Sequence, residues 1–146
     1  MGKVLAENRR ARFDYDIKEI FEAGIELRGF EVKSIKQGRM GLNGSYAIIR
    51  RGEPFLIGAA IPPYQQNNVP PDYDPGHTRK LLLKKEEIKR VAGLLGQKSA
   101  ALIPLSAYEK RGIIKIELGL GMSRKKTDKR EVLKKRAAVR EMRRDL

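Results

Sequence analysis

Between residues 113 and 120, Ile114, Ile116, Leu118 and Leu120 alternate with Lys115, Glu117 and Gly119. A period of two sends successive side chains to opposite faces, so this segment is a strand with one face on a core and the other in water. The same alternation recurs at Phe13, Tyr15 and Ile17, at Phe21, Ala23, Ile25 and Leu27, and at Phe55, Ile57, Ala59 and Ile61. Residues 46–49 and 55–61 flank Arg50-Arg51-Gly52-Glu53, and residues 101–105 and 113–120 flank Glu109-Lys110-Arg111-Gly112. Both are hairpin signatures, with Gly in the turn. Two segments break the period. Residues 31–37 read as a short helix closed by Gly38, and 84–95 carry Ile88, Val91 and Leu95 at helical spacing before Gly96. Between the strand signals lies PPYQQNNVPPDYDPGH, residues 62–77, whose five prolines exclude a central strand or a helix and predict a loop. Five or six short strands with an inserted helix predict a mainly β fold with accessory helices. A small Greek-key barrel of the OB type suits the pattern, and a split α+β sandwich gives a similar one.

Charge divides the chain. Its 146 residues hold 32 Lys and Arg against 18 Asp and Glu, a net charge of +14, and half of that excess falls in the last 26 residues. The expected organisation is therefore a globular body, residues 1–121, and a basic arm, residues 122–146. The arm has strong helix formers and no Gly or Pro after residue 122, but Val132, Val139, Met142 and Leu146 make a poor apolar stripe. It is expected to be disordered when free and helical once a partner neutralises it. The partner implied by such a balance is a polyanion, most simply nucleic acid.

Other chemistries find little support. There is no cysteine and one histidine, so disulfides, thiolate catalysis and metal sites built on several imidazoles are excluded. His77 stands alone in the proline-rich segment, leaving the serines without a base. Glu22, Glu26 and Glu31 are the only carboxylates that suggest a Mg²⁺-dependent nuclease, and Glu22 and Glu26 alternate with apolar residues as solvated outer-face groups do. No cofactor or metal is expected, and no enzymatic activity. No apolar run approaches the ~20 residues of a membrane span, so a soluble, cytoplasmic chain is expected, with monomer as the default. Nine aromatics and no Trp make a thin stacking platform. Most of Phe13, Tyr15, Phe21, Phe30 and Phe55 are expected in the core, which favours a folded RNA read by shape and backbone.

The residues also carry a resemblance. Asn8-Arg9-Arg10-Ala11, Phe21-Glu22-Ala23-Gly24-Ile25 and Glu31-Val32-Lys33-Ser34 resemble the N-terminal signature of the small protein B family, the bacterial tmRNA-binding proteins of trans-translation. Ser45-Tyr46, Pro63-Tyr64, Arg79-Lys80-Leu81-Leu82-Leu83, Glu87-Ile88, Pro104-Leu105, Tyr108, Lys125-Lys126 and Asp128-Lys129-Arg130 follow in the family's order, so the resemblance spans about residues 8–131. It implies an OB-type barrel that binds the tRNA-like domain of tmRNA and enters the A site of a stalled ribosome. There the basic tail would fold into a helix in the decoding centre and empty mRNA channel. It also implies that Glu22 is a barrel glutamate needed for tmRNA binding and that Leu82 and Lys84 belong to the same function, although a core strand position is the plain alternative for Leu82. Arg10 and Lys33 are implied as backbone contacts. Lys125, Lys126, Asp128, Lys129 and Arg130 are implied to act during ribosomal accommodation. The chain departs from the family pattern at Phe13, where many members carry His, and at Arg124 and Thr127 around the paired lysines. The general alternative is a basic OB protein of the ribosome or RNA-chaperone type.

Overall fold

The computed structural model describes residues 2–65, 69–124, 130 and 133–137. In chain order its elements are β1 (Lys3–Glu7), α1 (Ala11–Asp14), β2 (Tyr15–Ile25), α2 (Gly29–Lys36), β3 (Tyr46–Arg50), β4 (Glu53–Ile57), β5 (Arg79–Leu82), α3 (Lys85–Leu95), β6 (Ala100–Lys110) and β7 (Ile113–Ser123). All pairings are antiparallel, and the sheet closes on itself. Its strands run β6-β3-β4-β5-β2-β7, and β7 returns to β6, while β1 pairs with the far half of β6. Closure gives each strand of the ring a neighbour on both sides, leaving β1 as the edge strand. The first strand of the ring, β2, lies beside β5 rather than β3, which is Greek-key connectivity. The fold is thus mainly β with accessory helices, a barrel of the OB type.

On β7, and at Phe21 and Ala23 of β2, the inner face is the one the alternation announces. On β4 it is the opposite one, with Pro54 and Leu56 buried and Phe55 and Ile57 half-buried. The phase changes at Gly58 (φ 83°), after which Ala59 and Ile61 are buried. Ile114, Ile116, Leu118 and Leu120 of β7 are buried, with Phe21 and Ala23 of β2 and Leu102 of β6 in the same core. Both hairpin turns have two successive residues in the left-handed region, Arg51 and Gly52 (φ 53° and 75°) and Arg111 and Gly112 (φ 52° and 79°). That conformation matches the twist of the flanking strands and is easiest for glycine at the second position. A smaller cluster of Ala11, Ile103 and Leu105 joins α1 to β6.

Four other features differ from the sequence reading. The runs at 13–17 and 21–27 are not two strands: Phe13 belongs to the turn of helix α1, and β2 runs unbroken from Tyr15 to Ile25. Its register against β7 slips between Ile17 and Glu19, so the bulge resets which side chains face inward and breaks the period. Strand β1 is not announced by the sequence, because a half-exposed edge strand ending in Lys3 and Glu7 carries no clean alternation. Strand β5 shows no alternation in the sequence, because Arg79 occupies an inward position beside Leu81 and inverts the expected polarity. Of the five aromatics expected mostly in the core, only Phe21 is buried; Phe13, Tyr15, Phe30 and Phe55 are half-buried.

Arg79 anchors the proline-rich segment. Its Nε donates to Glu31 Oε2 at 2.9 Å, Nη1 to the carbonyls of Ala59 (2.9 Å) and His77 (3.1 Å), and Nη2 to the carbonyl of Pro75 (2.9 Å). The Tyr73 hydroxyl donates to the Ile61 carbonyl at 2.7 Å and lies 3.1 Å from Glu31 Oε2. His77 is not alone: its Nε2 lies 3.0 Å from the same carboxylate oxygen. A buried guanidinium needs this full set of acceptors, since an unpaired charge at 2% exposure would be costly. The consequence for function is direct. Glu31 is committed to Arg79, so the three-carboxylate nuclease site loses a member, and Arg79 is not a cation available to RNA.

Candidate nucleic-acid interface

Glu22 projects outward from β2 between the buried Phe21 and Ala23. Directly opposite on β7 is Glu117, whose neighbour across on β6 is Ser106. One step along, Gly24 faces Leu82 on β5 and Lys115 on β7, and Lys115 in turn faces Tyr108 on β6. Strand pairing therefore lays Leu82, Gly24, Lys115 and Tyr108 in one row and Glu22 with Glu117 in the next, on one outer face. Leu82 is 51% exposed; the core position of β5 is Leu81, so the plain core reading of Leu82 does not hold. A Cβ at Gly24 would lie 3.2 Å from that of Leu82, and glycine lets the leucine lie across β2. Lys84 follows two residues later as an exposed residue at the start of α3, its backbone N–H donating to Glu87 Oε1 at 3.1 Å.

Two carboxylates opposite each other on a sheet repel. Here Glu22 is compensated. The Tyr108 hydroxyl donates a hydrogen bond to Glu22 Oε2, and Lys110 Nζ lies 3.4 Å from both carboxylate oxygens. The Tyr108 bond, against some opposing desolvation and with help from Lys110 and Lys115, holds the Glu22 carboxyl below its ordinary range. Burial, the bond to Glu22, and the charges of Glu22 and Glu117 push the Tyr108 phenol up. At neutral pH the pair is thus a carboxylate held by a neutral phenol donor. Such a carboxylate repels phosphate and accepts from base or 2′-OH donors, while Lys110 and Lys115 beside it are suited to phosphate.

The other expected residues lie elsewhere. Arg10 stands over the Phe13 ring at 5.1 Å, 3.4 Å from Asp14 Oδ1, on the rim of a groove of about 700 Å³ that Tyr46 and Leu102 also line. Lys33 is exposed on α2 with its Nζ 5.8 Å from the Tyr64 ring. Lys125, Lys126, Asp128 and Lys129 lie outside the described residues. Arg130 is exposed and helical, as are residues 133–137. Sequence reasoning passed over Lys110 and Lys115 and took Tyr108 only as part of a pattern. Their alternation and turn position were visible, but the register that brings Tyr108 to a carboxylate 86 residues away was not.

Among the described residues, no group of three or more His, Cys, Asp or Glu side chains is placed to hold a metal ion. No helix there is long and apolar enough to cross a membrane.

Comparison with known proteins gives the family. The family model for SmpB protein matches residues 5–146. The SsrA-binding protein of Halothermothrix orenii is 47% identical over 142 residues, 97% of this chain and 91% of that protein. The SsrA-binding protein of Bacillus subtilis is 48% identical over 143 residues, 98% of this chain and 91% of its own length. A chain of known structure, described under "tmRNA-SmpB: a journey to the center of the bacterial ribosome", superposes with a TM-score of 0.68 at 45% identity, covering 82% of this chain and 84% of that one. Because the match takes in the barrel and the basic arm alike, the chain belongs to the SmpB protein family.

Proposed function

We propose that this chain binds the tRNA-like domain of tmRNA and brings it to the A site of stalled ribosomes for trans-translation, acting as a binding factor with no chemistry of its own. The observation that carries the reading is the family match over residues 5–146, shared with relatives named SsrA-binding proteins. The outer face supports it with a division of roles. Glu22 accepts from base or 2′-OH donors, Leu82 offers an apolar contact, and Lys84, with Lys110 and Lys115, neutralises nearby phosphates. Arg10 and Lys33 add backbone contacts from separate parts of the surface.

The body and the arm each carry a net charge of +7, so both are suited to RNA. In this reading the body meets tmRNA. The arm, which follows the end of β7 at Ser123, occupies the decoding centre and mRNA channel as a helix, where Lys125, Lys126, Asp128, Lys129 and Arg130 act during accommodation. The protein works in the cytoplasm as a monomer and without a cofactor.

The test is binding to the tRNA-like domain of tmRNA at about 0.15 M salt, with excess elongator tRNA as competitor, for wild type and Glu22→Gln. Selective binding that the substitution abolishes is expected. Equal competition by tRNA with an indifferent Glu22→Gln would leave only a general basic RNA-binding barrel.

A further inference from the structure

We propose that Tyr108 is a positioning residue for RNA recognition: its hydroxyl, presented from β6 across β7, holds the Glu22 carboxylate in its binding orientation. This rests on the reading of Glu22 as an RNA contact. An exposed glutamate on a strand normally samples several rotamers, and a ligand must order it at an entropic cost. Glu22 differs because its partner is rigid. The Tyr108 side chain is 2% exposed and has two rotatable bonds, and its hydroxyl donates to Glu22 Oε2. Lys110 also touches the carboxylate, but from a side chain 48% exposed and at 3.4 Å, a looser restraint.

The charged groups around Glu22 sharpen the requirement. Lys110 on β6 and Lys115 on β7 attract the carboxylate, and Glu117, directly opposite on β7, repels it. Without the hydroxyl, Glu22 would swing between these neighbours. With it, the carboxylate stays ionised and aimed, and the remaining acceptor capacity meets the RNA donor. A charge-assisted hydrogen bond also polarises both partners, which suits an acceptor that must discriminate donors from phosphate.

The experiment is a double-mutant cycle in the full chain with Tyr108→Phe, Glu22→Gln and the pair, using the tRNA-like domain of tmRNA as probe. Tyr108→Phe keeps the ring and its packing. It is expected to weaken binding by about tenfold alone, the range for a hydrogen bond to a charged group, and by less than about twofold on the Glu22→Gln background. Carboxyl-carbon NMR of the free proteins gives a readout that a merely structural role would not move. The Glu22 midpoint should lie below the ordinary glutamate range in wild type and return toward it in Tyr108→Phe. Wild-type binding by Tyr108→Phe, equal losses on both backgrounds, or an unmoved Glu22 midpoint would each overturn the proposal. Failure of wild type to prefer tmRNA over tRNA would instead overturn the functional reading, and the NMR comparison keeps the two failures apart.

Discussion

Two glutamates, nine residues apart in sequence, are put to opposite uses by their surroundings. Glu22 is an outward acceptor, whereas Glu31 is 1% exposed and spent on Arg79, Tyr73 and His77. Burial pushes the Glu31 carboxyl up, but the Arg28 backbone N–H, Arg79 and His77 outweigh it and hold it below its ordinary range. A folded-state pKa below the unfolded one, about 4.3 for glutamate, adds stability that is complete above that value. The contribution is lost as pH falls through the folded-state pKa. Glu31→Gln should therefore cost about 3–5 kcal/mol at neutral pH, the cost of breaking a buried ion pair. It should also flatten the acid side of the stability profile, which urea unfolding across pH measures. An unchanged midpoint would mean that Arg79 finds another counter-charge.

At the scale of elements, the closure of β2 on β7 and β6 decides whether Glu22, Leu82, Lys115 and Tyr108 share a face. Two bulges adjust that closure, between Ile17 and Glu19 and between Pro104 and Ser106. Gly121 sits at the first. A Cβ there would lie 2.7 Å from the Asp16 carbonyl oxygen and 3.0 Å from Ile17 Cδ1. Backbone cannot yield as a side chain does, so Gly121→Ala should destabilise the barrel by about 1–3 kcal/mol, seen as a lower melting temperature. The hairpins and α3 were legible because their signals are local: a glycine turn, a period of two, a period of 3.6. Strand β5 was not, because its inward arginine is explained only by a carboxylate 48 residues away.

At the scale of the molecule, barrel and arm make separable predictions. Strand β7 runs to Ser123, and the Arg124 N–H donates to the Asp14 carbonyl at 2.9 Å, so a truncation that spares the barrel is made after Arg124. That truncation should leave tmRNA binding largely intact while abolishing tagging on stalled ribosomes, measured by gel shift and by tagged product in a translation extract. Loss of both together would contradict the division of labour. Salt titration should separate them as well. Each phosphate contact contributes a log–log slope of about −0.7 to −0.9, and the truncated chain should lose only the arm's share.

Sequence alone determined the class of the fold, the two tight turns, the basic arm and the family resemblance, because periodicity, turn chemistry and charge are properties of neighbouring residues. It also singled out Glu22 and Leu82, which the barrel places on one face. Only the tertiary structure decided that Arg79 is buried against Glu31 and that Tyr108 reaches Glu22. Both depend on register and closure between strands far apart in the chain. A pairing register shifted by a single residue would send each of these side chains to the other face.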